Sequence, residues 1–386
     1  MATGSTSSSG AMRFSAVLIV RDEAAVLGRC LDSLRNVVDE MVVVDTGSTD
    51  ETRAIAAAHG ARVHDFPWLD DFAAARNFAL AQASFPVALI IDADEYLVTP
   101  VPEARERLQA FAACASVHAL GLVAIVNERP VESLEQEVTD QTARLFFRES
   151  WRYEGAVHEQ LVARETGAAP VAVETGLRLR HTGYALGRDA AAAKAHRNIA
   201  LLRKELARHP DDEYFQYQLA KAWQSLGRHK AAAVAYQRAL RCIDFSQPEP
   251  VGRLGAVGRP VLTGLLCGAA YAQVESGACE AAAALLEQHR ELGHAGTHRA
   301  DFHHARGYAW LQCGDLARAE SAYRDSFGLP EDVAGTGSFA SWYHLGLIDE
   351  ARNQPREALA KYHEALRLHP AYLPARDRIH ALEARG

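Results

Sequence analysis

Five positions recur with one spacing in the second half of the chain. Ala220, Gly227, Ala232, Tyr236 and Ala239 stand at offsets 0, 7, 12, 16 and 19, and Gly346, Asn353, Ala358, Tyr362 and Ala365 repeat them. A third copy runs Gly307, Gly314, Ala319, Tyr323, with Ser326 in the last place. A fourth, weaker copy runs Ala270, Gly277, Ala282, Leu286. A shared spacing restricts this region to a stack of like units. The residue types say what each unit is. Small side chains let two antiparallel helices cross closely, Gly or Asn turns the chain between them, and an aromatic packs onto the next unit. The copies are unevenly placed, and Ile243 to Pro260 reads as an inserted loop.

The first half has a different rhythm. FSAVLIV (Phe14 to Val20) is a buried-strand run, and EAAVLGRCLDSL places Val26, Leu27, Cys30, Leu31 and Leu34 at helical spacing. MVVVD is a second strand, TRAIAAAHG a helix closed by Gly60, ARVHDF a third strand, DFAAARNFALAQA a helix and VALIID a fourth strand. Alternation of this kind predicts an open, mainly parallel sheet with helices on both faces, whose ligands sit at the carboxyl ends of the strands. The expected organisation is a polar leader over residues 1–11, an α/β domain over 12–187, and a helical linker with repeats over 188–386.

Composition narrows the function classes. Lys and Arg number 41 against 49 Asp and Glu, a net charge of −8, which argues against a general nucleic-acid binder. No apolar run reaches the length of a membrane span. The six cysteines include no CxxC pair, as expected of reduced and mostly buried thiols in a cytoplasmic protein.

The chemistry gathers where strands end. VALIIDADEYLV drives an apolar strand into Asp92, Asp94 and Glu95. Asp92 and Asp94 flank one residue, so their side chains lie on the same side, where hard oxygens could hold Mg²⁺ or Mn²⁺ against phosphate. The bland reading is a solvated acidic turn. Strand two ends in VVVDTGSTD, where Asp45 can accept from a base N–H or a ribose hydroxyl, while Ser48 or Thr49 could cap the next helix. Strand one ends in VRDE, polar at the same edge, and no GxGxxG is present. Arg76 could neutralise phosphate or pair on the surface with Asp70 or Asp71; Phe72 and Phe78 are expected in the core.

The order FSAVLIVRDE, VVVDTGSTDET, DFAAARN, LIIDADEYL resembles a family-two glycosyltransferase of the GT-A fold. The repeats resemble tetratricopeptide repeats. WRYEGAVHEQL and RHTGY ahead of such repeats resemble the subgroup that includes the peptide S-glycosyltransferases of glycosylated bacteriocins. The resemblance implies an α/β GT-A domain with a mainly parallel sheet, followed by an all-α tetratricopeptide-repeat domain. It implies an inverting, metal-dependent hexosyltransferase-like enzyme, using a UDP-sugar and a peptide or protein side chain (Cys, Ser or Thr), and a possible homodimer. Carried over by position, Asp45 contacts the base, with Gly47 in its turn and Val20, Arg21 and Glu23 lining the same pocket. Arg76 and Asn77 face the nucleotide. Asp92, Ala93 and Asp94 form the metal-and-diphosphate motif, with Asp94 preferred as the direct ligand and Mg²⁺ or Mn²⁺ as the cofactor.

An inverting transfer needs a base for the acceptor. Glu159 is the first candidate, with His158 and Glu154 as rivals, and a structural role for all three is the bland reading. Trp151 could stack on the sugar or simply pack. His181, after a strand and before a glycine turn, is a candidate to complete the metal's coordination; His303 and His304 read as surface or repeat packing. A rival from another class is an interaction scaffold with an inactive nucleotide domain, and others are a glycosyltransferase with a glycan or small-molecule acceptor and a nucleotidyltransferase. The last lacks a basic triphosphate loop after strand one.

Overall fold

The computed structural model describes residues 11–127, 139–165, 170–182, 188–246, 259–293 and 295–384. The polar leader and most of the stretch read as an inserted loop lie outside the described residues. The chain forms two compact units that part between Gly187 and Arg188.

The N-terminal unit is built on an eight-stranded sheet. In chain order its strands are β1 (Phe14–Val20), β2 (Glu40–Asp45), β3 (Arg62–Asp65), β4 (Val87–Ile90), β5 (Glu95–Leu97), β6 (Ala119–Asn127), β7 (Thr139–Phe147) and β10 (Val171–His181). Strands β8 (Trp151–Glu154) and β9 (Gln160–Ala163) pair separately. The sheet runs β3-β2-β1-β4-β7-β6-β10-β5. The first four neighbours are parallel, as the alternation predicts. Past β4 the sheet is mixed, because β7 pairs antiparallel with both β4 and β6, and β5 antiparallel with β10.

Helices α1 (Leu27–Leu34), α2 (Thr52–Ala58), α3 (Phe72–Gln82) and α4 (Val101–Cys114) cover it. Successive residues of a strand face opposite layers, and the core divides accordingly. Leu18 and Leu89 pack with Leu27, Leu31 and Leu108, while Val17, Val44 and Ile90 pack with Ala79, Leu80 and Trp151. Gly60 closes α2 at a positive φ of 78°.

Register aligns the functional edge. Val20 stands beside Asp45, and His181 stands beside Asn127 on one side and Glu95 on the other. The loops after β1 and β2 are clamped together. The amide and hydroxyl of Thr49 donate to Asp22 Oδ1 at 2.7 and 3.1 Å, and the Asp22 amide donates to Ser48 Oγ at 2.9 Å. Ser48 and Thr49 therefore join two loops instead of capping α2, which has no side-chain cap bond.

Helices and the turns between them make up nearly all of the described residues of the C-terminal unit. It comprises α5 (Arg188–Arg208), α6 (Glu213–Ser225), α7 (His229–Arg241), α8 (Arg259–Glu275), α9 (Cys279–Leu292), α10 (Ala300–Gln312), α11 (Leu316–Asp325), α12 (Phe339–Ala351), α13 (Pro355–Leu368) and α14 (Leu373–Glu383), with a short 3₁₀ turn at Ala295–Thr297. Gly227, Gly277, Gly314 and Asn353 turn between the paired helices, all with positive φ (67°, 88°, 81° and 58°). The repeat aromatics pack within their own repeat as well as onto the next: Tyr323 also stacks on His344 of the following repeat, with ring centres 5.0 Å apart. Tyr323 and Tyr362 lie on Gly307 and Gly346 of their own repeats, and Tyr236 lies on Gly268 of the next helix. A ring against a bare backbone is what the small residue permits. His304 is buried, with Nδ1 3.0 Å from Ser341 Oγ, as repeat packing predicts. The five described cysteines are free, but only Cys30 and Cys267 are buried; the other three are half-buried, because they stand at helix ends. Among the described residues no helix is long and apolar enough to cross a membrane.

Candidate active site

Asp45 closes β2 at 2% exposure. Its Oδ1 accepts from the amides of Gly47 and Ser48 at 2.8 and 2.9 Å, and Gly47 takes a positive φ of 110° to make that turn. Oδ2 is buried without a partner. An orphaned buried acceptor costs about 1–3 kcal/mol, which a ligand donor would recover. Thr46 ties the turn back to the Val20 carbonyl through Oγ1 at 3.0 Å and its amide at 2.9 Å. Beside it, Val20 is buried, Arg21 is exposed with Asp22 at 3.9 Å, and the Glu23 amide donates to Thr52 Oγ1 at 2.8 Å.

The two acids after β4 diverge. Asp92 lies between guanidinium groups: Arg76 donates to Oδ1 at 2.8 Å and Arg144 to Oδ2 at 3.0 Å. Arg144 also donates to Glu95 Oε1 at 2.8 Å, and Arg76 to Glu159 Oε1 at 2.5 Å. The result is a chain of alternating charge, Glu159, Arg76, Asp92, Arg144, Glu95. Burial alone would raise the Asp92 carboxyl, but the charges and hydrogen bonds of Arg144 and Arg76 outweigh it and hold the group far below the ordinary carboxylate range. For Glu95 burial prevails over Arg144, helped by the Asp92 charge, and pushes the carboxyl up to about 7. Ala93 between the acids is buried.

Asp94 points elsewhere. Its Oδ2 is 3.0 Å from His181 Nε2, whose Nδ1 is 2.9 Å from Asn127 Oδ1. Thr182 donates to the Asp94 carbonyl through amide and hydroxyl, both at 3.0 Å. One carboxylate and one imidazole are thus held together at the end of the sheet. Among the described residues no group of three or more His, Cys, Asp or Glu side chains converges as a metal site. An ion held by Asp94 and His181 would take its other ligands from phosphate and water, the usual form of a metal that binds together with a substrate phosphate.

The other expected residues fall in several places. Arg76 reaches across to Asp92 and Glu159 and ignores Asp71, which instead caps α3 through the Ala74 amide at 2.8 Å. Asn77 does not face the edge. Its side chain exchanges two hydrogen bonds with the Tyr153 backbone at 2.8 and 2.9 Å, mimicking a strand partner and fastening β8 to α3. Trp151 is 1% exposed within the core under Ile90 and Phe146, so nothing can stack on its ring. Glu154 lies on the two-stranded sheet with Arg152 donating to it at 2.5 and 2.9 Å. His158 stands in a turn with φ of 53°, next to Glu159. Phe78 packs in the core against Phe66, at 5.0 Å between ring centres.

Arg144 and Asn127 are the residues that sequence reasoning missed. Arg144 had a signal: a lone cation inside the strand TARLFF must be paired if buried. Asn127 had none, since its role comes from strand register alone.

Comparison with known proteins decides the kind of domain. Residues 15–114 match the model for glycosyl transferase family 2. The N-terminal unit contains a family 2 glycosyltransferase domain. The chain is similar to proteins of several bacteria. A TPR repeat-containing protein of Synechococcus elongatus is 34% identical over 245 residues, covering 61% of this chain and 58% of that protein. An uncharacterised glycosyltransferase of Rickettsia felis is 44% identical over 85 residues, 22% of this chain and 30% of that protein. The SPbeta prophage-derived glycosyltransferase SunS of Bacillus subtilis is 26% identical over 204 residues, 50% of this chain and 45% of that protein. The chain spans between 30% and 58% of the length of these relatives.

Proposed function

We propose that the chain is a metal-dependent inverting glycosyltransferase that moves a sugar from a nucleotide-sugar, a UDP-sugar, to a Cys, Ser or Thr side chain of a peptide or protein. The observation that carries this is the pairing of Asp94 with His181 at the same strand ends that present the orphaned oxygen of Asp45. Asp45 Oδ2 accepts the N–H that a uracil ring offers. Asp94 and His181 would hold the cation, and the imidazole would favour Mn²⁺ over Mg²⁺, which prefers oxygen throughout. When bound, that ion supplies charge stabilisation to the departing diphosphate. Asp92, occupied by two arginines, fixes the backbone from which Asp94 projects.

The acceptor's proton passes to Glu159, whose Oε1 is held by Arg76. The acceptor heteroatom bonds to the anomeric carbon as the bond from that carbon to the diphosphate oxygen breaks, on the opposite face. A thiol acceptor needs little of this help, because it ionises more readily than a hydroxyl. The polypeptide acceptor rests on the likeness of the chain to peptide S-glycosyltransferases and on the helical repeats, whose stacked surfaces suit polypeptides.

The test is thermal unfolding with UDP-sugars, with and without Mn²⁺. At a hundredfold excess over Kd, ligand binding adds about 2.7 kcal/mol, roughly 5–10 °C for a unit of this size. Asp94→Ala and His181→Ala should each remove the Mn²⁺-dependent part of that shift and the Mn²⁺-dependent sugar release. An unchanged shift in both variants would refute the cation assignment.

A further inference from the structure

Three strands bring their polar ends to one point of the sheet. β6 ends at Asn127 and β10 ends at His181. These two strands run parallel and in register, so their last residues stand side by side and face the same layer. β5 begins at Glu95, antiparallel on the other side of β10, and carries Asp94 to the same place. Thr182 fastens Asp94 there by donating to its carbonyl through amide and hydroxyl. His181 therefore lies between two oxygens. Asp94 Oδ2 is 3.0 Å from Nε2, and Asn127 Oδ1 is 2.9 Å from Nδ1.

The two oxygens differ in kind. That of Asn127 belongs to a neutral amide on a residue 7% exposed. An amide oxygen can only accept, so Nδ1 carries a hydrogen and donates it. That of Asp94 belongs to a carboxylate on a side chain 27% exposed, open to solvent and to ions. A cation is drawn to the anionic oxygen, so Nε2 is the nitrogen that faces it. An imidazole that gives one nitrogen to a metal keeps its hydrogen on the other. That second N–H points into the buried side of the site, where it needs an acceptor. Asn127 is placed by register to be that acceptor, and it does so without adding a charge.

Resting on the cation site of Asp94 and His181 described above, we propose that Asn127 is its positioning residue. Asn127 Oδ1 accepts the Nδ1–H of His181, fixes the ring's orientation and tautomer, and thereby leaves Nε2 to the ion.

The test uses the full chain with UDP at fixed concentration and titrates Mn²⁺, reading the midpoint of the thermal shift. Asn127→Leu keeps the size of the side chain and removes the acceptor, and it should weaken Mn²⁺ by about 10–100-fold. Asn127→Asp can only accept, and it should bind Mn²⁺ within about threefold of the unsubstituted chain, because the carboxylate also takes the Nδ1–H. Asn127→Ala is measured alongside, so that a poorly folded Leu variant does not leave the comparison open. Protection of each variant by UDP without Mn²⁺ tells a lost cation site from a lost fold. The proposal is overturned if Asn127→Leu and Asn127→Ala bind Mn²⁺ like the unsubstituted chain. It is also overturned if Asn127→Asp loses the ion as they do, because the amide would then act on the ring as a donor. An unsubstituted chain that shows no Mn²⁺ effect at all overturns the cation site itself, and this role with it.

Discussion

Replacing Arg144 with Met tests whether the alternating charges at the sheet's end hold this domain together. Arg144 is 12% exposed and serves two acids at once: Asp92 at 3.0 Å and Glu95 at 2.8 Å. Met keeps the length and apolar stem and removes the charge. Breaking a buried ion pair by deleting one partner costs about 3–5 kcal/mol, because the remaining charge is left buried and unpaired. The lower end applies here. Asp92 is 35% exposed on its side chain and retains Arg76, so the unpaired group is chiefly Glu95, at 4%. We therefore expect a loss of about 3 kcal/mol at pH 9, a large share of a domain's stability, shrinking toward neutral pH as Glu95, already raised to about 7 by burial, takes up a proton. Glu95→Gln in the same background should restore part of it, since the neutral amide no longer needs a cation. A chain of two compact units need not unfold in one step, so the readout is hydrogen exchange of β4 and β7 amides across a urea series, with a double-mutant cycle on Arg144 and Glu95. A coupling energy under about 0.5 kcal/mol, or a loss under about 1 kcal/mol, would refute the reasoning.

Three further outcomes are expected. Gly346→Ala should destabilise the last repeat by about 1–3 kcal/mol, since the added methyl would run into the Tyr362 ring; calorimetry of the full chain reads it, and an unshifted repeat transition would contradict the packing. Asn77→Ala leaves the Tyr153 amide and carbonyl without their partners, so β8 should exchange its amides faster by about 1–3 kcal/mol of opening energy, while a value near zero would mean that water replaces the side chain. The repeat unit should lose stability in mild acid. Burial, joined for His304 by the neighbouring His344, lowers both imidazoles from the ordinary histidine value of about 6.5. Their contribution is complete above that value and declines as pH falls below it, because the unfolded chain takes up the protons first. Helical circular dichroism melts between pH 7.5 and 5 should show this, and His304→Gln should flatten the dependence.

Much of the architecture was legible in the chain. The offsets around Gly227, Gly314 and Asn353 fixed the helical hairpins, because a left-handed turn residue is a local demand that one side chain can signal. The runs FSAVLIV, MVVVD and VALIID marked parallel strands, because burial on both faces leaves an unbroken apolar run. The candidate site was legible only in part. Asp45, Asp94 and His181 were singled out from their positions after strands, and the structure puts them at strand ends. Asp92 was singled out too, but its partners were not; Asn77, expected to face the nucleotide, faces inward, and Trp151 packs, one of the two outcomes its sequence position left open.

The sequence by itself determined which acids end the strands and where each helix turns, since both are written in neighbouring residues. Only the tertiary structure decided that Asp92 belongs to Arg76 and Arg144 while Asp94 belongs to His181. The partners of each acid lie 16, 52 and 87 positions away along the chain. Strand order and register bring them within hydrogen-bond reach, and no local pattern encodes either. Two carboxylates two residues apart receive opposite tasks because the sheet turns one toward buried cations and the other toward an imidazole at its edge.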